Sequence, residues 1–160
     1  MRPKVHLREV AESDLPIFFK HQRDPLAVHM AAFTAKDPDD RAAFDAHWAR
    51  ILADPSVRIQ TIVVDGQVAG SVSSYMGDVG LEVTYWLGRD FWGRGIATAA
   101  LVEFLTRHQV QRPLYARAAA DNAPSLRVLQ KSGFTILRQE RGYANARGTA
   151  IDEFLLALTT

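Results

Sequence analysis

Apolar and polar positions along this chain switch repeatedly between a period of two and a period near 3.6, and the switches mark out its elements. Val5 and Leu7 alternate with polar neighbours across Lys4–Val10, as in a short first strand. Ser13-Asp14-Leu15-Pro16 then has the form of a helix start, with a capping serine and a proline in the first turn. This helix carries Leu15, Phe18 and Phe19 and is expected to stop near Asp24-Pro25. A second helix is predicted from Asp37-Pro38-Asp39-Asp40 to Asp54-Pro55. Its Phe44, Trp48, Ile51 and Leu52 fall on one face, a stripe that suits a core better than a pocket.

From Ile59 the period is two. Ile59–Val64 reads as an apolar strand, Asp65-Gly66 as a hairpin turn, and Val68–Met76 as the returning partner. Leu81–Leu87 is a third strand, with Leu81, Val83, Tyr85 and Leu87 on one face and Glu82, Thr84 and Trp86 on the other. A long helix, Ile96–His108, buries Ala97, Leu101, Phe104 and Leu105. A short strand at Leu114–Ala118 and a helix capped by Asn122 and closed by Gly133 follow it. Strands at Phe134–Arg138 and Ile151–Leu158 complete the order β-α-α-β-β-β-α-β-α-β-β. Hairpins must be antiparallel, whereas the crossover through Ile96–His108 must be parallel. The expectation is an α/β (α+β) architecture: a mixed, mostly antiparallel central sheet with helices on both faces.

Composition narrows the function classes. A chain of 160 residues, 48% hydrophobic and 23% charged, fits one globular domain over residues 1–160. A formal charge of +1 without a basic run gives no footprint for nucleic acid. The absence of cysteine excludes disulfides, thiolate metal sites and cysteine nucleophiles. The N-terminus has no apolar leader and no apolar run is long enough to span a bilayer, so a cytoplasmic protein without membrane association is expected. The five histidines, His6, His21, His29, His47 and His108, show no metal-ligand spacing on a common helix face, so no metal is expected.

Phe91-Trp92-Gly93-Arg94-Gly95-Ile96-Ala97-Thr98 stands between the third strand and the long helix. A glycine turn entering a helix directs unpaired N–H groups at one point, where the helix dipole also favours negative charge. Without a Cβ, Gly93 and Gly95 admit a phosphate close to the backbone. The same glycines also serve a tight strand-to-helix turn, and the turn alone leaves both readings open.

A second segment joins this one. Trp92-Gly93-Arg94-Gly95-Ile96-Ala97 resembles the Gln/Arg-x-x-Gly-x-Gly/Ala motif of the GNAT family of N-acetyltransferases. Asn122-x-x-Ser125-x-x-Val128-Leu129-Gln130-Lys131-x-Gly133-Phe134 resembles the helix motif that follows it in that family. The intervening helix and strand, and the element order over the whole chain, are similar to the acyl-CoA N-acyltransferase fold. The wording Tyr85-Trp86 followed by Phe91–Thr98 is closest to the bacterial-type ribosomal-protein-alanine acetyltransferase branch. Two departures stand out. Trp92 replaces the motif's first Gln/Arg, and Leu129 stands where many members carry the tyrosine that protonates departing coenzyme A.

The resemblance implies transfer of the acetyl group of acetyl-coenzyme A to a primary amine by direct attack in a ternary complex. The acceptor is a small molecule or a peptide terminus, and the protein a monomer or homodimer. The pyrophosphate falls to the N–H groups of Gly93, Arg94, Gly95, Ile96 and Ala97, with Arg94 adding charge, and Trp92 and Thr98 are also placed at the coenzyme. The pantetheine arm falls to Tyr85, Trp86 and Leu87, with Asn122, Ser125 and Lys131 from the following helix. A backbone N–H near Leu87 is the expected oxyanion donor. Glu82 is the candidate base that removes the amine's proton, and Ser125 the candidate acid in place of the missing tyrosine. His29 and Phe33, after the first helix, and Tyr143, in the expected loop Arg141–Asn145, are placed at the acceptor pocket. As residue types, Asn122 is equally a helix cap and Glu82 equally a solvated strand residue. The alternative function is a coenzyme A-binding module without catalysis. Asp37, Asp39 and Asp40 form the sequence's obvious acidic cluster, which helix-start chemistry explains.

Overall fold

The computed structural model describes residues 3–160; Met1 and Arg2, which belong to the N-terminal segment read above for a leader, lie outside the described residues. Seven strands form one sheet: β1 (Val5–Arg8), β2 (Arg58–Val64), β3 (Gln67–Met76), β4 (Leu81–Leu87), β5 (Leu114–Ala119), β6 (Thr135–Ala144) and β7 (Thr149–Leu158). Their order is β1-β2-β3-β4-β5-β7-β6. Among the described residues only β4 and β5 pair in parallel, as the crossover between them requires. The helices are α1 (Leu15–Gln22), α2 (Pro25–Ala31), α3 (Arg41–Ala53), α4 (Ile96–Arg107) and α5 (Ala123–Lys131).

The expected alternation decides which side each strand residue faces. Val72, Val83, Leu87, Leu114, Ala116 and Leu156 meet Ile96, Leu101, Phe104 and Leu129 of α4 and α5 in the main core. A smaller aromatic cluster of Phe18, Phe19 and Phe44, with Trp48 against it, holds α1 and α3 together, while α1 contacts β3 and β4. Helices therefore cover both faces, and no helix among the described residues is long and apolar enough to cross a membrane. At the β2–β3 hairpin Asp65 and Gly66 both have positive φ, 49° and 82°, as the tight turn demands.

Three expectations are corrected. The first helix, α1, does stop at Gln22, near Asp24-Pro25, but a helix not expected from the sequence, α2, begins there. Asp24 accepts from the Leu26 N–H and Pro25 opens α2, so a stop signal is also a cap-and-proline start. Ser13 is not a cap, because residues 12–14 form a short 3-10 turn. Asp14 is buried there instead, accepting from Arg8, the Ala11 N–H and Thr61. Burial alone would raise the Asp14 pKa, but those donors together bring it below the ordinary aspartate value. The strand expected at Phe134–Arg138 runs on to Ala144, because β7 offers it ladder partners as far as Thr149. Tyr143 therefore lies in β6 and not in a loop.

Candidate active site

Sequence dictates the first part of the site locally. Gly93 and Gly95 have φ of +73° and +75°, and a Cβ built on either would meet nothing within 4 Å. The space a side chain would fill is open, although the backbone conformation excludes most side chains. Gly95 is the N-cap of α4 and supplies no side-chain cap. The first-turn N–H groups of Ile96, Ala97 and Thr98 are thus left without helical acceptors, which suits an anion. The Trp92 indole donates to the Leu87 carbonyl at 2.9 Å and pins this loop to the end of β4. The Arg94 guanidinium lies over the Phe91 ring, 5.9 Å from the centroid, and the residue is exposed.

Topology dictates the second part. β4 and β5 share a single register pair, Glu82 with Tyr115, and beyond it the parallel strands part. A cavity of about 840 Å³ occupies the wedge. Gly93, Gly95, Ile96, Ala97 and Thr98 line one end, Tyr85, Trp86, Leu87, Asn122, Ser125 and Lys131 the middle, and Glu82, Arg117 and Glu153 the other end. Asn122 caps α5, accepting from the Ser125 N–H at 3.3 Å, and its amide also donates to the Met30 carbonyl at 3.1 Å. That second bond ties α5 to α2. Among the wedge residues, then, Asn122 is a cap, a tether and a wall at once.

At the far end the chemistry is ionic. Glu82 is not a solvated strand residue: it is 5% exposed. Arg117, on the neighbouring strand β5, approaches Glu82 at 3.3 Å, Glu153 at 3.0 Å and Glu140 at 2.7 Å. One guanidinium thus serves three carboxylates. Burial raises the pKa of Glu82 above the ordinary glutamate value, Arg117 offsets this in part, and Asp78 and Glu153 add to the rise. Burial raises Glu153 in the same direction. Glu140, hydrogen-bonded to Arg117 and Arg138, is held below its ordinary value. The cluster therefore offers carboxylates of different proton affinity within reach of one cavity, a usual way of making a base that works near neutrality. Gly77 makes room for it, since a Cβ there would lie 1.7 Å from Glu82 Oε2.

The acceptor-side residues divide. Phe33 lines the cavity, whereas His29 and Tyr143 are not among its described lining residues. His29 belongs to α2 with its side chain exposed, and its carbonyl accepts from Arg147. Tyr143 projects from β6 and is 66% exposed. Phe44 and Trp48, assigned to the core, do pack there and also wall the cavity. Asp40 caps α3 and Asp39 pairs with Arg23, so that acidic cluster serves the helix start.

Sequence reasoning missed Arg117, Glu140, Glu153 and His21. The one available signal was a charge inside each of the apolar runs Leu114–Ala118 and Ile151–Leu158, since a buried charge needs a partner. His21 lines the cavity from α1, and burial lowers its pKa below the ordinary histidine value. Among the described residues no group of three His, Cys, Asp or Glu is placed to hold a metal ion.

Comparison with known proteins adds three findings. A family model described as an acetyltransferase (GNAT) domain matches residues 4–135. The curated protein "Uncharacterized N-acetyltransferase p20" of Bacillus licheniformis is 31% identical over 81 residues, a stretch that spans 48% of this chain and about half, 45%, of that relative. Among solved structures, Mycobacterium smegmatis RimJ in complex with CoA-disulfide superposes with a TM-score of 0.82 at 23% identity, over 99% of this chain and 85% of that one. Spermidine N-acetyltransferase from Vibrio cholerae, in complex with CoA and spermine, does so with a TM-score of 0.80 at 12% identity, over 97% and 95%.

Proposed function

This chain belongs to the GNAT family of acetyltransferases, and on that premise we propose that residues 1–160 act as one domain that transfers the acetyl group of acetyl-coenzyme A to a primary amine. One observation carries the reading. A single cavity joins the uncapped start of α4 to the buried Glu82 through the wedge between β4 and β5. A donor with a phosphate at one end and a thioester at the other, and an amine beside a carboxylate, fit the two ends of that passage.

The pyrophosphate takes the N–H groups of residues 93–98, where the Gly93 and Gly95 backbone is open to close approach. The pantetheine arm lies along Tyr85, Trp86 and Leu87, with Asn122, Ser125 and Lys131 on the facing wall. An ammonium has no lone pair, so the acceptor must lose a proton before it attacks. Glu82 takes that proton, and its raised pKa brings it closer to the working pH of such a base. Ser125 serves the departing sulfur. Glu82 and Glu153 make this end of the cavity favourable to a cationic amine, and Phe33 and Trp48 supply apolar wall. Spermidine N-acetyltransferase is named for a polyamine acceptor; this chain's acceptor is a primary amine of a small molecule or of a peptide terminus.

The test is acetyl transfer from acetyl-coenzyme A to a panel of peptides with free N-termini, polyamines and aminoglycosides, with released thiol and acceptor mass as readouts. Acetylated product from at least one class is expected. Binding of the coenzyme without transfer to any amine would support the non-catalytic module instead.

A further inference from the structure

Tyr85 was expected only along the path of the coenzyme, but the fold gives its hydroxyl a specific partner. Its ring packs against the main core on the side of α4 and α5, and the hydroxyl donates to Ser125 Oγ at 3.2 Å. Both residues line the wedge. Ser125 is the third residue of α5, with its backbone N–H fixed on Asn122, so its Oγ is placed by a cap and by a phenol at once. A serine hydroxyl that accepts one hydrogen bond still has its own proton to give. Leu129, one turn further along α5, is 2% exposed and has no proton to offer.

We propose that Tyr85 is a positioning residue for the leaving group, supplying through Ser125 the proton that the departing coenzyme A thiolate takes up. The proposal rests on the acetyl-transfer reading above. Glu82 releases to water the proton it took from the ammonium, and as the nitrogen–carbon bond then forms, the surplus proton on the amine passes to the Glu82 carboxylate. The carbon–sulfur bond breaks and its electron pair stays on sulfur. Ser125 Oγ gives its proton to the sulfur and takes the phenolic proton of Tyr85. Water reprotonates the tyrosinate and receives the proton from Glu82, which closes the cycle.

A lone serine would be left as an alkoxide, a stronger base than the thiolate it had just protonated. A phenol behind it removes that obstacle, because ordinary tyrosine and thiol pKa values, about 10 and about 8.5, are close enough for transfer. Burial holds Tyr85 above its ordinary value, with Ser125 acting against this, so the phenol stays protonated through the neutral range.

The experiment measures the single-turnover rate of acetyl transfer and the coenzyme affinity for Tyr85→Phe, Ser125→Ala and the double variant, and adds a protein with fluorotyrosine at position 85. Tyr85→Phe deletes one hydroxyl, and the fluorinated protein keeps the hydroxyl bond. Transfer by Tyr85→Phe should slow by about 10²-fold, the lower end for positioned proton transfer, with unchanged coenzyme affinity. The double variant should be no slower than Ser125→Ala, because the two act in series. Fluorination, which acidifies the phenol, should move the alkaline limb of the rate profile to lower pH, a shift that a bracing hydroxyl would not produce. A wild-type rate in either single variant, losses that multiply in the double variant, an affinity loss equal to the rate loss, or an alkaline limb indifferent to fluorine would each overturn the proposal. Wild-type protein that binds the coenzyme and acetylates no amine would instead remove the reading beneath it.

Discussion

Arg117 is the cation that lets three carboxylates share one corner of the sheet, and Arg117→Gln tests that arrangement directly. The substitution deletes contacts to Glu82, Glu153 and Glu140. Glu140 keeps Arg138 and is 28% exposed, so water covers much of its loss. Glu82 and Glu153 have side chains only 7% and 12% exposed and lose their counter-ion where water reaches poorly. Removing one partner of a buried ion pair costs about 3–5 kcal/mol, and partial access with a remaining amide donor sets the expectation at the low end, about 3 kcal/mol near neutral pH.

The loss must also depend on pH. Burial already raises both carboxyls, and without the guanidinium they rise further. A carboxyl with a folded pKa above its unfolded value, about 4.3 for glutamate, stabilises the fold below that unfolded value. That contribution disappears as pH rises through the folded pKa. Arg117→Gln should therefore lie close to wild type near pH 5, to within about 1 kcal/mol, and fall steadily behind by pH 8. Urea unfolding followed by tryptophan fluorescence across this range gives the difference at each pH. Wild-type stability at neutral pH, or the same deficit at every pH, would refute the reasoning; the second result would mean lost packing and not uncompensated charge.

Three further outcomes follow from the site. Glu82→Gln should lower turnover by about 10²–10⁴-fold at constant coenzyme affinity, with a deficit that shrinks at high pH as the free amine becomes neutral; full activity at neutral pH would move the base elsewhere. Gly77→Ala should displace the Glu82 carboxylate, whose Oε2 lies 1.7 Å from the new Cβ, and slow transfer by up to about 10²-fold while leaving coenzyme affinity intact; unchanged rates would show that the position of Glu82 does not matter. Gly95→Ala meets no protein atom within 4 Å, so its stability cost is backbone strain of about 1–2 kcal/mol. Coenzyme affinity by calorimetry should fall beyond that, and normal affinity per folded molecule would mean that the glycine is structural only.

The local parts of this protein were legible in its sequence. Alternation at Leu81–Leu87 put Val83 and Leu87 on one face, which the structure packs into the main core, and Glu82 on the other. Asp65-Gly66 marked its hairpin, and Phe91–Thr98 marked an open helix start. Each depends on backbone preference and side-chain period within a few residues, and one strand of sequence carries that information. Local signals failed where one pattern has two meanings. Asp24-Pro25 ends one helix and starts another, and Phe134–Ala144 becomes a long strand only because β7 lies beside it. The length of β6 in turn took Tyr143 out of a loop.

The charged corner of the cavity belongs to tertiary structure. Glu82, Arg117, Glu140 and Glu153 come from four strands spread over 72 positions, 82 to 153, and no spacing in the sequence predicts that they meet. The order β4-β5-β7-β6 places them side by side, and the parting of β4 from β5 opens the wedge beside them. The contact of Tyr85 with Ser125, 40 residues apart, is of the same kind. Sequence determined which residues could do chemistry and on which face of each element they stand. Strand order decided which of them share a dielectric, a counter-ion and a cavity, because burial and proximity are properties of the folded arrangement alone.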